Sequence, residues 1–199
     1  IGHGEAFFAI ADRRDGHEFV ASALAAQAGL AVVADNSPVK LPPDAPLLVV
    51  PDVLAGLRAL AAAARTRTQA KVIGVTGSVG KTGTKDALRL ALSKDGETHA
   101  SVASYNNRWG VPLSLARCPA NAHYAVLEMG MNHPGEIAPL SRLARPHVAV
   151  ITTVAPVHIE FFGSLAKIAD AKAEIFLGLE KDGAAVLNRD GPQFTHLKR

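Results

Sequence analysis

The chain has 199 residues, of which 48% are hydrophobic, and this content can fill the core of one large or two small globular domains. No uninterrupted apolar stretch of about 18 residues occurs, and the first residues lack the basic start of a secretory signal, so we predict a cytoplasmic protein without a membrane span. The net charge of +3 is spread along the chain, which argues against nucleic-acid binding, and the single cysteine excludes an internal disulfide.

Residues 1–68 are predicted to form a small α/β domain. Its predicted elements are buried strands at 5–10, 30–34 and 47–50, a helix around 19–24 and a helix at 53–64. The polar stretch 65–69 has no apolar periodicity and precedes a new strand. We therefore place a domain boundary near residue 68.

Residues 69–199 are predicted to form a second α/β domain, in which strands alternate with helices. Its predicted strands are 71–76, 98–102, 123–128, 147–153 and 184–188, and its predicted helices are 81–93, 135–144 and 164–178. Strands that are separated by helical patterns indicate a mostly parallel sheet that is covered by helices on both faces.

The stretch 76–82 connects a predicted strand of this domain to a predicted helix. Its residues are Thr76, Gly77, Ser78, Val79, Gly80, Lys81 and Thr82. Glycines let backbone N–H groups turn toward a phosphate, and the N terminus of the following helix adds partial positive charge. Lys81 would reach the β- and γ-phosphates of a nucleotide, while the hydroxyl of Thr82 would ligate its magnesium ion.

This stretch meets only part of the general P-loop pattern, because Val75 stands where the pattern has glycine. The Gly80-Lys81-Thr82 part is complete, and it lies between a strand and a helix as the motif requires. The alternative is an ordinary strand-to-helix turn with a chance lysine. The context favours phosphate binding.

Two further side chains follow the ends of predicted strands. Glu128 ends the apolar run HYAVLE, and His158 comes directly after the next strand of the pattern. The carboxyl ends of parallel strands meet at one edge of a sheet, where such sheets bind ligands. Magnesium takes oxygen ligands, so Glu128 beside Thr82 suits a magnesium site. The alternatives are that the Glu128 carboxylate is exposed to solvent at the end of its strand, and that His158 is an exposed loop residue.

Lys172 falls on the apolar face of the predicted helix 164–178, at helical spacing from Leu165 and Ile168. A buried lysine loses its proton, pairs with an anion or is chemically modified, unless its ammonium group extends past the apolar stripe to water. The spacing leaves these possibilities open. Lys167 and Glu174 fall on other faces and are predicted to be surface charges.

Several segments resemble the Mur ligases of peptidoglycan synthesis. They read TGSVGKTGTK, YNNRWGVPLSLAR, VLEMGMNHPGEIAPL, RPHVAVITTVAPVHIEFFGS and IADAKAEIF, with AFFAI and DGHEF near the start. NNRWGVP and EMGMNHPGEI resemble most the branch that adds D-alanyl-D-alanine to UDP-N-acetylmuramoyl-tripeptide. The resemblance covers nearly the whole chain and is weaker to the similar folylpolyglutamate synthases.

The resemblance implies a role for each matching residue. It implies an ATP loop at 76–82 with Asn106 and Asn107 near the nucleotide, magnesium at Thr82, Glu128, His158 and a carbamylated Lys172, catalytic roles for Lys81, His158 and Lys172, and substrate contacts at Asn132 and His133. The implied substrates are UDP-N-acetylmuramoyl-tripeptide and D-alanyl-D-alanine, and the enzyme is expected to be a monomer. Residues 1–68 would bind the UDP substrate.

The family also continues beyond the segments that match, through the rest of an ATP domain and a third domain. The resemblance therefore predicts that this chain is a fragment without turnover of its own. A nucleotide-binding module, another Mur-like ligase and an unrelated P-loop kinase are the alternatives. The unrelated kinase should lack EMGMNHPGEI and VHIEFFGS, which are present here.

Overall fold

The computed structural model of the protein describes residues 1–12, 14–37, 40, 44–157 and 159–198. The chain divides into two compact units, residues 1–59 and 60–199. Both units combine helices with a parallel sheet, which confirms the predicted α/β class. No helix within the described ranges is long and apolar enough to cross a membrane.

The first unit contains a three-stranded parallel sheet in the order β1-β2-β3. Its elements are β1 (Ala6–Phe8), a 3-10 helix (Gly16–Phe19), α1 (Val20–Ala25), β2 (Leu30–Ala34) and β3 (Leu47–Val50). The core of this unit is formed by Ala9, Val20, Ala31 and Val33. These residues lie where the sequence predicts short strands and a helix.

One prediction for this unit is wrong, because β3 is not a buried strand. Leu48 and Val49 are 53% and 56% exposed. Among the described residues β3 is an edge strand that pairs with β2 alone, and its apolar run packs on the core through Leu47. An apolar run shows that a strand can be buried, but its position in the sheet decides whether it is.

A long helix, α2 (Val53–Arg67), crosses the division between the units, and the predicted boundary at residue 68 follows its end. The second unit holds a five-stranded parallel sheet in the order β5-β6-β4-β7-β8. Its elements are β4 (Lys71–Thr76), α3 (Lys81–Leu92), β5 (Thr98–Ala100), α4 (Gly110–Ala116), β6 (Tyr124–Glu128), α5 (Ile137–Ala144), β7 (Val148–Ile151), α6 (Ile159–Phe162), α7 (Leu165–Ala173), a 3-10 helix (Glu174–Gly178), β8 (Ala184–Leu187) and α8 (Phe194–Leu197).

The central strand β4 is buried on both faces. Val72 belongs to the larger apolar cluster, which also contains residues of α4, α5 and α7. Ile73 and Val75 belong to a second cluster, against which Leu88 of α3 packs. Because successive side chains of a strand point to opposite faces, this division places apolar clusters on both sides of the sheet, as predicted.

The predicted elements of the second unit all occur, with bounds that differ by a few residues. Three short helices were not predicted: α4, α6 and α8. The predicted helix 164–178 is α-helical only to Ala173 and then continues as a 3-10 helix. Helices of four to seven residues carry too few turns for a clear apolar period, which explains why the pattern missed them.

The strand register brings three loops to one edge of the sheet. Val75 lies opposite Glu128, and Thr76 lies opposite Ile151. The chain segments that follow β4, β6 and β7 therefore leave the sheet side by side, at the edge where parallel sheets bind ligands.

Glu174 corrects a second prediction, because it is not an ordinary surface charge. Its carboxylate accepts hydrogen bonds from the backbone N–H groups of Gly135, Ile137 and Ala138, at 2.6, 3.2 and 3.0 Å. These groups belong to the start of α5 and the loop before it, so Glu174 caps that helix from a distant part of the chain. A carboxylate at a helix N terminus also interacts favourably with the helix dipole.

We expect Glu174→Ala to lower the free energy of unfolding by about 1–3 kcal/mol, because it leaves three backbone donors without their acceptor. Urea denaturation measures this change. Glu160→Ala in α6 is the matched control, since it removes an exposed carboxylate and should change stability by no more than about 0.5 kcal/mol. Equal losses in both variants would contradict the capping role.

Candidate functional site

The segment between β4 and α3 forms a tight loop with two glycines at positive φ. Gly77 has φ of 152° and Gly80, the N-cap of α3, has φ of 85°. A Cβ atom at Gly77 would lie 1.9 Å from Oγ1 of Thr152, so no larger residue fits there without movement. Glycine is needed at this position for space as well as for backbone freedom.

The segment after β7 braces this loop. Thr152 Oγ1 donates to the carbonyl of Val79 at 2.6 Å, and the N–H of Ser78 donates to the carbonyl of Thr153 at 2.7 Å. The Ser78 hydroxyl also pairs with the backbone of Ala155, at 3.0 Å in both directions. The partners in these bonds lie more than 70 positions away in the sequence. The bonds hold the loop against the segment that follows β7.

Lys81, the first residue of α3, turns back over the loop. Its Nζ donates to the carbonyl of Gly77 at 2.8 Å and lies 3.4 Å from that of Ser78. Burial lowers the pKa of Lys81 below its ordinary value, and the nearby Glu128 carboxylate partly offsets this effect. The ammonium group therefore lies where a phosphate held by the loop would meet it.

Glu128 is 1% exposed and lies beside the start of α3. Thr82 Oγ1 donates to its Oε2 at 2.8 Å, and Asn106 Nδ2 donates to its Oε1 at 2.7 Å. The backbone N–H of Glu128 donates to Oγ of Ser101 at 3.3 Å. A buried carboxylate needs such partners, so the predicted alternative of a strand end in solvent does not hold.

Asn106 and Asn107 have different surroundings, although the resemblance gives both the same role. Asn106 contacts Glu128 through its side chain and Gly130 through its backbone carbonyl. Asn107 instead accepts hydrogen bonds from the N–H groups of Trp109 and Gly110, at 3.2 and 2.9 Å, at the start of α4. Its observed contacts are those of a turn and helix cap.

Lys172 is 4% exposed, as its position on the apolar face of the helix predicted. Within the described part of the chain its side chain has no hydrogen bond and no ion pair. Burial, together with the positive charge of Lys81, lowers the pKa of Lys172 to about 8. Lys172 therefore lies close enough to Lys81 for their charges to interact, and Lys81 in turn interacts with Glu128.

Among the described residues, Asn132 and His133 have no hydrogen bond to this cluster. His158 lies outside the described residues. Asn132 and His133 lie in the exposed loop before α5, where their backbone N–H groups donate to Glu136 at 2.6 and 3.2 Å. The ring of His133 is also 4.9 Å from that of Phe161.

The sequence reasoning missed Lys85, which is a buried residue of α3. Its Nζ donates to the carbonyls of Ser101 and Ala103, both at 3.0 Å. It lies one helical turn after Lys81, on the same face of α3. That spacing was a signal available from the sequence.

The residues of this edge fit a magnesium-bound nucleotide. Thr76 Oγ1 is buried and has no hydrogen-bond partner among the described atoms. Magnesium commonly uses one or two carboxylates together with substrate phosphates, and Glu128 with Thr82 offers a carboxylate and a hydroxyl. In the described ranges no group of three or more His, Cys, Asp or Glu side chains could hold a metal by itself.

In the second unit the central strand of a parallel sheet is followed by this loop and then by a helix. This arrangement defines the unit as an α/β domain of the P-loop class. Residues 75–199 match the family described as the Mur ligase middle domain. The chain therefore belongs to the Mur ligase family, which confirms the resemblance of its motifs.

Similar proteins include UDP-N-acetylmuramoyl-tripeptide–D-alanyl-D-alanine ligase of Bacillus subtilis, which is 43% identical over 182 residues, 91% of this chain and 39% of that protein. A crystal structure of MurF from Acinetobacter baumannii is 35% identical with a TM-score of 0.86, covering 99% of this chain and 43% of that one. MurF from Thermotoga maritima in complex with ADP is 31% identical with a TM-score of 0.81, covering 98% and 45%. The chain thus spans about two fifths of the length of these relatives.

The lowered pKa of Lys172 predicts a pH-dependent stability. Between pH about 8 and the ordinary lysine value of 10.5 the unfolded chain binds more protons at this residue, so the free energy of unfolding rises with pH. The contribution is up to about 1.4 kcal/mol per pH unit. Below pH 8 both states are protonated and the cost of burying the charge is fully present.

We expect Lys172→Met to remove this cost, so that the variant gains stability relative to the original chain at pH 7 and loses that advantage by pH 10.5. Urea denaturation across this range, in buffer depleted of carbon dioxide to keep the amine unmodified, measures the difference. Lys167→Met, at an exposed position of the same helix, is the control. A constant difference across the range would contradict a lowered pKa.

Proposed function

We propose that the complete protein is an ATP-dependent ligase that adds D-alanyl-D-alanine to UDP-N-acetylmuramoyl-tripeptide in peptidoglycan precursor synthesis. The observation that carries this proposal is the cluster at the sheet edge, where the loop, Lys81, Thr82 and Glu128 lie together with Lys172 close by. The names of the relatives support the substrates, and the ADP complex of one of them supports ATP.

The nucleotide polyphosphate would bind in the loop 76–82. Among the described residues, the backbone N–H groups of Gly80, Lys81 and Thr82 have no protein acceptor, so they can donate to phosphate oxygens. The ammonium group of Lys81 lies beside these donors and adds a positive charge to the loop. A site with this charge favours a polyanion over a neutral ligand.

The proposed reaction activates the tripeptide carboxylate by transfer of the γ-phosphoryl group of ATP, which gives an acyl phosphate and ADP. The amine of D-alanyl-D-alanine then attacks the acyl carbon, and the tetrahedral intermediate expels phosphate as the amide bond forms. The protein acts mainly by positioning the reactants and by neutralising charge. Lys81 would offset the negative charge that spreads over the transferring phosphoryl group.

Magnesium would be held by Thr82 and Glu128, with His158 and Lys172 as the further members of the proposed site. When bound, the metal supplies positive charge to the phosphate oxygens. Lys172 would contribute as a carbamate, formed when its neutral amine bonds to the carbon of carbon dioxide and releases one proton to solvent. A pKa of about 8 leaves about one amine in ten neutral at pH 7, which supports this modification.

The remaining assignments belong to the same proposal. Asn132 and His133 would contact the substrate from the loop before α5, and residues 1–68 would bind the UDP part of the acceptor. Residues 69–199 would bind ATP. We place the reaction in the cytoplasm, where ATP is supplied, and we propose that the enzyme acts as a monomer.

The Lys81 role is tested by Lys81→Ala in the 199-residue chain. We expect its affinity for ATP with magnesium to fall by roughly 10- to 100-fold, because charge-assisted hydrogen bonds to phosphate are lost. Isothermal titration calorimetry measures the affinity. In the complete enzyme the same change should lower turnover by orders of magnitude, measured as release of ADP.

Lys71→Ala is the matched control, since Lys71 is exposed at the opposite end of the same strand. Unchanged binding by Lys81→Ala would reject the phosphate role. If the original chain binds ATP but releases no ADP with both substrates, it is a nucleotide-binding module by itself. A complete enzyme that also fails to release ADP would reject the ligase proposal.

The carbamate is tested by Lys172→Ala in the complete enzyme. We expect activity to be lost and then partly restored by acetate or another short carboxylic acid, which would take the place of the carbamate. Lys81→Ala is the control, because a carboxylic acid cannot replace its ammonium group. Absence of rescue in Lys172→Ala, with the fold intact by circular dichroism, would count against the modification.

A further inference from the structure

Lys85 is a buried cation of the second unit to which the proposed chemistry gives no part. It is 3% exposed and lies on α3, four residues after Lys81 and three after Thr82. Residues at these spacings share one face of a helix. The face of α3 that meets the nucleotide loop and Glu128 therefore continues one turn further, to Lys85.

The ammonium group of Lys85 holds the turn that follows β5. It donates to the carbonyls of Ser101 and Ala103, each at 3.0 Å, while its only close carboxylate among the described residues is the neighbouring Asp86, at 3.3 Å. Ala103 has φ of 47°, a conformation that residues other than glycine rarely adopt. A charged donor that bridges two carbonyls stabilises such a turn against unfolding into extended chain.

This turn reaches Glu128 at two points. Oγ of Ser101 accepts the backbone N–H of Glu128 at 3.3 Å, and Nδ2 of Asn106 donates to Oε1 at 2.7 Å. The backbone of Asn106 is itself fixed, since its N–H donates to Ser104 at 2.8 Å and its carbonyl accepts from Gly130 at 2.8 Å. Hydrogen bonds at both ends of the 101–106 segment, joined by its backbone, thus connect Lys85 with the carboxylate of Glu128.

We propose that Lys85 is a positioning residue for the Glu128 carboxylate: it holds the 101–106 turn so that Asn106 keeps one carboxylate oxygen in place, while Thr82 meets the other. This inference rests on the proposed function, in which Glu128 serves a magnesium-bound nucleotide. Lys81 and the loop bind phosphate directly, whereas Lys85 acts through the carboxylate alone. Loss of Lys85 should therefore reduce the gain in ATP affinity that magnesium gives, without changing the affinity for ATP in the absence of magnesium.

The experiment titrates the 199-residue chain with ATP, with and without magnesium chloride, by calorimetry. The variants are Lys85→Met, Asn106→Ala and the double variant, and the control is Lys94→Met at an exposed position beyond the end of α3. We expect Lys85→Met to reduce the gain in affinity that magnesium gives by roughly tenfold, with magnesium-free affinity within about twofold of the original. The double variant should bind ATP with magnesium no more weakly than the single variant with the lower affinity, because both substitutions act on the same series of contacts.

A second measurement does not depend on ligand. Trp109 is the single tryptophan of the chain, and it lies three residues after Asn106. Its fluorescence anisotropy reports on the mobility of this segment, so we expect a lower anisotropy in Lys85→Met and no change in Lys94→Met. If Lys85→Met does not fold, Lys85→Gln replaces it, because the shorter amide keeps a donor near the carbonyls but cannot bridge both.

Three results would overturn the inference: an unchanged magnesium gain in the Lys85 variant, an equal loss of affinity with and without magnesium, or losses in the double variant that simply add. The second of these would mark Lys85 as a purely structural residue. Failure of the original chain to bind ATP at all would instead reject the proposed nucleotide site. The anisotropy of Trp109 would then still decide whether Lys85 holds the turn.

Discussion

The buried carboxylate of Glu128 is the feature on which the functional edge of the second unit depends. A carboxylate that is 1% exposed costs several kcal/mol unless hydrogen bonds and nearby positive charge replace water. β6 places Glu128 opposite Val75 of β4, so its neighbours come from the start of α3 and the turn after β5. Thr82 of α3 and Asn106 of the turn after β5 are therefore connected through one carboxylate.

Lys81 and Lys172 are two cations at this end of the sheet, and Glu128 is a carboxylate near Lys81. Lys81 interacts with the carboxylate, and Lys172 interacts unfavourably with Lys81 and has no hydrogen bond of its own among the described residues. Lys172 is buried and Lys81 is partly buried, so both ammonium groups lose hydration, which is unfavourable in the protein alone. The arrangement becomes favourable when a polyanion enters, or when one amine becomes an anion. The fold thus holds an arrangement that lowers its own stability and that becomes favourable on binding or modification.

The sequence determined most of the scaffold and the part of the site that is local along the chain. The strand-loop-helix pattern around 76–82 predicted a glycine-rich loop, and the structure gives that loop its positive φ angles. Helical spacing predicted the burial of Lys172, and the end of an apolar run placed Glu128 at the edge of the sheet. These features depend on periodicity within one element, or on the rule that parallel strands share their carboxyl edge.

Tertiary structure alone decided which side chains meet. Neighbouring asparagines have different partners, Asn106 at Glu128 and Asn107 at the start of α4, because the backbone turns between them. Glu174 was expected in solvent but caps a helix more than 30 residues earlier, and Lys85 bridges carbonyls of a separate turn. A hydrogen bond between distant segments depends on the distance and angle between two atoms. Those quantities exist only after the sheet has formed, so no local pattern in the sequence records them.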